Sequence, residues 1–139
     1  MITLADLEAA RRRTAPIVVP TPVRSSPALS RLAGRPVLLK PEHLQRTGSF
    51  KIRGAYNRVA RLAAGIPVVA ASAGNHAQGV ALAATETGRH STIFMPVGAS
   101  LPKVEATAAY GADVRLQGQV VDDCIVAAKA FAASTGAVY

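Results

Sequence analysis

With 139 residues, half of them hydrophobic, the chain is long enough for one domain with a core of its own. The net charge of +8 is scattered rather than gathered into a patch, and only 4% of the residues are aromatic, so few side chains could stack on bases. A solvated basic face is therefore the reading, not a nucleic-acid partner, and no helix-turn-helix, zinc-finger or ribonucleoprotein pattern argues otherwise. Thr3 caps a first helix that runs to about Arg13, with Leu4, Leu7 and Ala10 or Arg11 on successive turns. That helix ends on the only basic run, Arg11-Arg12-Arg13, where cations suit the helix dipole. Pro16, Pro20 and Pro22 then force an extended segment. Ser26 to Ala33 reads as a short helix closed by Gly34, and Val37-Leu38-Leu39 as a buried strand. An irregular loop from Lys40 to Gly48 leads into a helix with Ser49 as its N-cap. This helix carries Ile52, Ala55, Val59 and Leu62 on one stripe and runs to about Ala64.

From Pro67 the pattern repeats. Pro67 to Ala71 is an apolar strand, Ser72 to Asn75 a turn, and His76 to Thr87 a helix ended by Gly88. Ser91 to Met95 is a strand, Pro96 to Leu101 a loop, and Pro102 to Tyr110 a helix with proline at its first position. Asp113 to Leu116 is a strand and Val121 to Ser134 a helix with Val121, Ile125, Ala128 and Phe131 on one stripe. Ala137-Val138-Tyr139 then begins a further strand. Short apolar strands alternating with amphipathic helices predict an α/β fold, a parallel sheet with helices on both faces. Ligands in such sheets sit at the carboxyl ends of the strands, here the loops Ser72–Asn75 and Pro96–Leu101. Because the chain stops as a strand begins, it is expected to be the front part of something longer.

Several site chemistries lack their residues. Three histidines, His43, His76 and His90, stand at no metal-ligand spacing, and the single cysteine, Cys124, lies on an apolar helical face as a small buried hydrophobe; no metal is expected. One cysteine also rules out an internal disulfide and suits a reducing compartment. Asp6 and Glu8 stand where a signal peptide needs its apolar core, and no apolar run approaches the ~18 residues of a membrane span, so a cytoplasmic protein is the default. Phosphate-binding glycine fingerprints and a Gly-x-Ser-x-Gly elbow are both absent.

Two features stand out. Lys51 falls in the first turn of its helix, where the dipole disfavours a cation. An amine there sheds its proton more easily, as a Schiff-base lysine must. The plain alternative is an ordinary solvated lysine. Ser72-Ala73-Gly74-Asn75-His76 joins a strand end to a helix start, where small residues allow close approach and free N–H groups favour an anion. Its plain alternative is an N-cap turn with a structural histidine. A lysine at one helix start and an anion-receptive turn at another are parts of a carbonyl-chemistry site.

The stretches Lys40-Pro41-Glu42-His43-Leu44-Gln45-Arg46-Thr47-Gly48-Ser49-Phe50-Lys51-Ile52-Arg53-Gly54-Ala55 and Ala70-Ala71-Ser72-Ala73-Gly74-Asn75-His76-Ala77-Gln78-Gly79-Val80-Ala81 resemble the threonine dehydratase (threonine ammonia-lyase) branch of the tryptophan-synthase-β-like, fold-type-II pyridoxal phosphate enzymes. Met95-Pro96, Lys103 to Thr107 and Tyr110 to Val114 continue the resemblance in order. It implies that Lys51 holds pyridoxal 5′-phosphate as a Schiff base and serves as base at the substrate α-carbon. Phe50 would pack beside the cofactor, Asn75 would hydrogen-bond its 3′ oxygen, and Ser72, Ala73, Gly74, Asn75 and His76 would hold the substrate carboxylate. The implied reaction is β-elimination of water from L-threonine or L-serine, giving a 2-oxo acid and ammonia, in amino-acid metabolism such as isoleucine biosynthesis.

Ile52-Arg53-Gly54 after the lysine is similar to dehydratases and serine racemases rather than synthases. Ala73 stands where the family's racemases carry a serine as second base, which favours a dehydratase. The link Ala63-Ala64-Gly65-Ile66 is shorter than the family's. By the same resemblance, residues 1–55 are the first elements of a larger domain and 56–139 a smaller α/β domain. The glycine-rich phosphate loop, the partner of the pyridine nitrogen and any regulatory domain come after residue 139. Little activity is then expected of the chain by itself. Its partners would be a small amino acid, further copies of itself or a missing C-terminal half, with neither nucleic acid nor membrane. A non-catalytic remnant or a subunit of a split enzyme is the alternative from outside catalysis.

Overall fold

The structure, a computed structural model, describes residues 1–139. The alternation of strands and helices closes into a parallel sheet of three strands in the order β3 (Val68–Ala71), β4 (Ser91–Met95) and β5 (Asp113–Leu116). Val68 pairs with Ser91 and Ile93 with Val114, so the strands start level. Helix α4 (Asn75–Glu86) links β3 to β4, and α5 (Leu101–Ala109) links β4 to β5. Helix α6 (Val121–Thr135) then carries the chain back across the sheet, and Val138 makes a parallel bridge to Val68 at the outer edge of β3. The Val69 N–H donates to the Val138 carbonyl and the Val138 N–H to the Pro67 carbonyl, both at 2.9 Å. The chain therefore steps one way from β3 to β5 and returns past β3, so a crevice opens at the carboxyl end of β3.

Strand alternation divides the core in two. Val68, Ala70, Ile93 and Met95 face the helices α3 (Lys51–Val59) and α4, packing with Ile52, Ala55, Val59, Val80 and Ala84. Val69 and Phe94 face the other way, onto Cys124, Ala128 and Ala137. Around β3 and β4 the sheet is covered on both faces, and β3 accordingly reads as a continuous apolar run, whereas edge strand β5 carries Asp113 and Arg115 and leaves Leu116 exposed. Phe94 and Phe131 meet edge to face with centroids 5.8 Å apart. Cys124 is buried, its thiol donating to the Gln117 carbonyl at 3.0 Å.

The N-terminal third is built differently. Helix α1 (Leu4–Thr14) opens with Thr3 and Asp6 capping each other and packs on α3, but Leu4 and Leu7 of its apolar stripe are exposed. Strands β1 (Arg24–Ser25) and β2 (Leu38–Leu39) form a two-residue antiparallel ladder around α2 (Pro27–Ala33), which Ser26 caps. The buried strand predicted at Val37–Leu39 is corrected here: Leu38 is 66% exposed and Leu39 43%, because no layer covers this ladder.

Two further corrections concern α3. It ends at Val59 rather than Ala64, and the chain tightens into shorter turns from Ala60 to Leu62. The Arg89 guanidinium donates to the Leu62 and Ala63 carbonyls, both at 2.8 Å, which ties this stretch to the α4–β4 link as a turn. Nor is Ser49 the residue that closes the helix start. Phe50 occupies the cap position without a side-chain bond, while the Lys51 N–H reaches the Ser49 hydroxyl at a long 3.4 Å.

Ile93 is fully buried at the centre of the sheet. Ile93→Ala is expected to lower stability by about 3 kcal/mol through lost burial and the cavity left behind, read from the urea midpoint of unfolding. A cost under about 1 kcal/mol would mean the core is not packed as described.

Candidate functional site

Lys51 begins α3 and its side chain is exposed, with no acidic residue in that first turn. Its ammonium lies 4.9 Å from the centre of the Phe50 ring, itself 57% exposed. The segment leading to it is held by long-range polar contacts. Glu42 receives both Arg53 Nε at 2.8 Å and a second guanidinium nitrogen at 2.9 Å, and the Thr21 hydroxyl donates to the same carboxylate at 2.5 Å. Lys40 Nζ donates to the Thr21 carbonyl at 3.0 Å. Buried Gln45 exchanges two bonds of 2.8 Å with the backbone of Val19. The loop before Lys51 is thus tied to its own helix and to the extended N-terminal segment.

Between clamp and lysine the backbone turns sharply. The Gly48 N–H donates to the Gln45 carbonyl at 2.8 Å, and Thr47, the third residue of that turn, sits at φ +69°. A β-branched residue in the left-handed region costs on the order of 1–3 kcal/mol. The Thr47 hydroxyl is also buried without a hydrogen-bond partner.

On the neighbouring helix, β3 ends at Ala71 and α4 starts at Asn75, with extended Gly74 at φ −150° as its cap. The Ser72 hydroxyl accepts from the Gly74 N–H at 3.2 Å, and the Ser72 N–H is tied to the Phe94 carbonyl at 3.1 Å. Ser72, Ala73 and Gly74 are half-buried, while Asn75 and His76 are exposed. The N–H groups of Ala73, Asn75 and His76 have no partner in the chain, so this helix start presents free donors. His76 keeps an exposed edge, yet its pKa is lowered, first by desolvation of the ring and second by the charge of Lys51. The lysine and the turn thus share one electrostatic field, although 21 positions separate Lys51 from Ser72.

Two recesses border the turn. Ala73 opens on a space of about 500 Å³ with Gly98, Ala99, Ser100 and Lys103, which brings the two predicted strand-end loops together. An apolar groove of about 360 Å³ runs from His76 past Arg58 and Leu62 to Val138 and Tyr139 along the edge of β3. Sequence reasoning assigned no role to the Glu42–Arg53 clamp or to Thr47. The clamp joins residues by tertiary contact rather than by a motif period, and threonine is not a residue that signals a left-handed turn.

A parallel α/β frame of this kind is that of the fold-type-II pyridoxal phosphate enzymes. The chain belongs to that family: residues 14–139 match the pyridoxal-phosphate dependent enzymes. It is 49% identical over 142 aligned positions to an L-threonine ammonia-lyase of Thermotoga maritima, spanning all of this chain and 35% of that protein. With the biosynthetic L-threonine dehydratase IlvA of Lactococcus lactis subsp. lactis the identity is 40%, over 94% of this chain and 33% of the relative. The chain thus spans about a third of the length of these relatives. Among solved structures, a threonine deaminase from T.th. superposes with a TM-score of 0.88 at 42% identity, over 99% of this chain and 44% of that one. Maize serine racemase does so with 0.88 at 36% identity, over 95% and 41%.

The residues present fit the family's cofactor. Lys51 supplies an exposed primary amine, Phe50 a flat apolar face beside it, and the 72–76 turn unpaired donors for an anion. No helix of the chain is long and apolar enough to cross a membrane.

Two outcomes are expected. The Glu42 carboxyl is drawn from 4.5 down to about 2, chiefly by the Arg53 hydrogen bonds. A carboxylate with a lowered folded pKa stabilises above its unfolded value and loses that contribution as pH falls through the folded one. Glu42→Gln is therefore less stable than the parent at neutral pH, and the gap closes between pH 4.5 and about 2; urea unfolding across that range would show a constant gap if the clamp were idle. Lys51→Met raises the His76 pKa toward its ordinary value without reaching it, since desolvation persists. A titration followed by NMR that finds His76 unmoved would separate the two groups.

Proposed function

We propose that the chain is the lysine-bearing part of a lyase that eliminates water from a small β-hydroxy amino acid, L-threonine first and L-serine second. The product hydrolyses to the 2-oxo acid and ammonia. Bound pyridoxal phosphate supplies the electron sink for this chemistry. The Lys51 amine is the group that carries it and then takes the proton from the substrate α-carbon. Phe50 would pack beside it and the Asn75 amide would hold it by a hydrogen bond. Ser72, Ala73, Gly74, Asn75 and His76 receive the substrate carboxylate, by the free N–H groups of Ala73, Asn75 and His76 and by the Ser72 hydroxyl. Residues 1–55 belong to a larger domain and 56–139 to a smaller one.

The observation that carries this reading is the pairing of an exposed lysine with a donor-rich turn on the adjacent helix, close enough for the lysine charge to act on His76. Relatives named L-threonine ammonia-lyase and L-threonine dehydratase support the substrate class. A racemase is the second reading, favoured by the serine racemase likenesses. Ala73 speaks against it, since a methyl group cannot hand over a proton on the opposite face of the substrate. Because the chain spans about a third of its relatives' length, it is expected to hold the cofactor weakly and to turn over little by itself.

The test is to add pyridoxal phosphate to the 139-residue chain, reduce with borohydride and map the modified peptide by mass spectrometry. Label concentrated on Lys51 supports the assignment, whereas label spread evenly over Lys40, Lys51, Lys103 and Lys129 counts against it. L-threonine dehydration at a relative's rate by the chain alone would overturn the expectation of weak turnover.

A further inference from the structure

We propose that Gly79 sets the separation between Lys51 and the Ser72–His76 turn, and is thus a positioning residue of the site. The inference rests on the reading of Lys51 and that turn as the two halves of one site. Each half sits at the start of a helix, Lys51 on α3 and the turn at the head of α4. Their distance is therefore decided by how closely those helices approach near their N-terminal ends. Gly79 is buried one turn into α4. A Cβ built there would lie 3.2 Å from the Lys51 carbonyl carbon, 3.3 Å from the Ile52 nitrogen and 3.4 Å from the Lys51 Cβ.

Two of those three atoms are backbone at a helix start, so no side-chain rotation relieves the contact. Close-packed interiors pass such strain on to neighbours. The glycine is not there for its backbone freedom, because its φ is not positive. In a helix interior it costs about 1 kcal/mol relative to alanine, and the contact with Lys51 accounts for that cost. Gly54, inside α3, is the contrast: a Cβ there meets nothing within 4 Å. Any side chain at position 79 moves the start of α3 away from α4 by a few tenths of an ångström and takes the Lys51 amine with it.

The experiment compares Gly79→Ala and Gly54→Ala with the parent chain, folding being followed by circular dichroism. Where Gly79→Ala loosens the fold, both variants are measured in trimethylamine N-oxide, which favours the compact state. The first readout needs no cofactor: the His76 pKa, followed by NMR, rises in Gly79→Ala in the direction that Lys51→Met takes it and stays put in Gly54→Ala. The second is the share of borohydride-trapped pyridoxal phosphate on Lys51 relative to Lys40, Lys103 and Lys129, which drops roughly threefold in Gly79→Ala. A folded Gly79→Ala chain with the parent's His76 pKa and the parent's Lys51 share overturns the proposal. Even labelling in the parent chain counts against the cofactor role of Lys51 instead, and the His76 titration then decides Gly79 alone.

Discussion

Helix α4 is packed on two sides at once, against the sheet and against α3, and the remaining structure is arranged around that constraint. Seven of its residues are buried, and most are small: Ala77, Gly79, Ala81, Ala83 and Ala84, with Val80 and Leu82. Large side chains would hold the neighbours apart. Small ones let α3 come down to backbone contact while Val80, Leu82 and Ala84 fill the space against Ile93 and Met95. The same packing brings a lysine and a donor-rich turn into one electrostatic field from distant parts of the chain. Both groups lie at helix starts, where backbone N–H groups are unspent.

The approach to Lys51 shows a second design. Its loop contains a threonine in a conformation that suits glycine and a hydroxyl buried without a partner, both unfavourable. Next to them stand the two-bond ion pair of Glu42 and Arg53, the Thr21 hydroxyl and the doubly bonded Gln45. A partly buried pair that is hydrogen-bonded on several sides resists rearrangement better than a lone surface pair. The strained turn can persist because its surroundings determine it from both sides, and the outcome is a lysine presented from a rigid segment.

Much of the fold was legible because its signals are local. Val68–Ala71, Ser91–Met95 and Asp113–Leu116 are short strands set between helical patterns, with bounds the structure reproduces closely, and proline at the start of α5 and glycine after α6 mark helix ends. The errors came where distant residues intervene. Arg89 ties down the carbonyls of Leu62 and Ala63, and α3 has stopped before them. Leu38 and Leu39 look like a buried strand, yet burial needs a covering layer, which a run of leucines does not reveal.

By itself the sequence determined the element order, the parallel α/β class and the family. Strand and helix periods are written in neighbouring residues, and the stretches around Lys51 and Asn75 are long enough to be distinctive. It also marked Lys51 and the Ser72–His76 turn, since helix starts and small-residue turns are local features. Only the tertiary structure decided that these two share one electrostatic field and that Glu42 and Arg53 clamp the lysine segment. The physical reason is that such contacts join residues 11 or more positions apart, as between Glu42 and Arg53. No local period records which faces or side chains will touch.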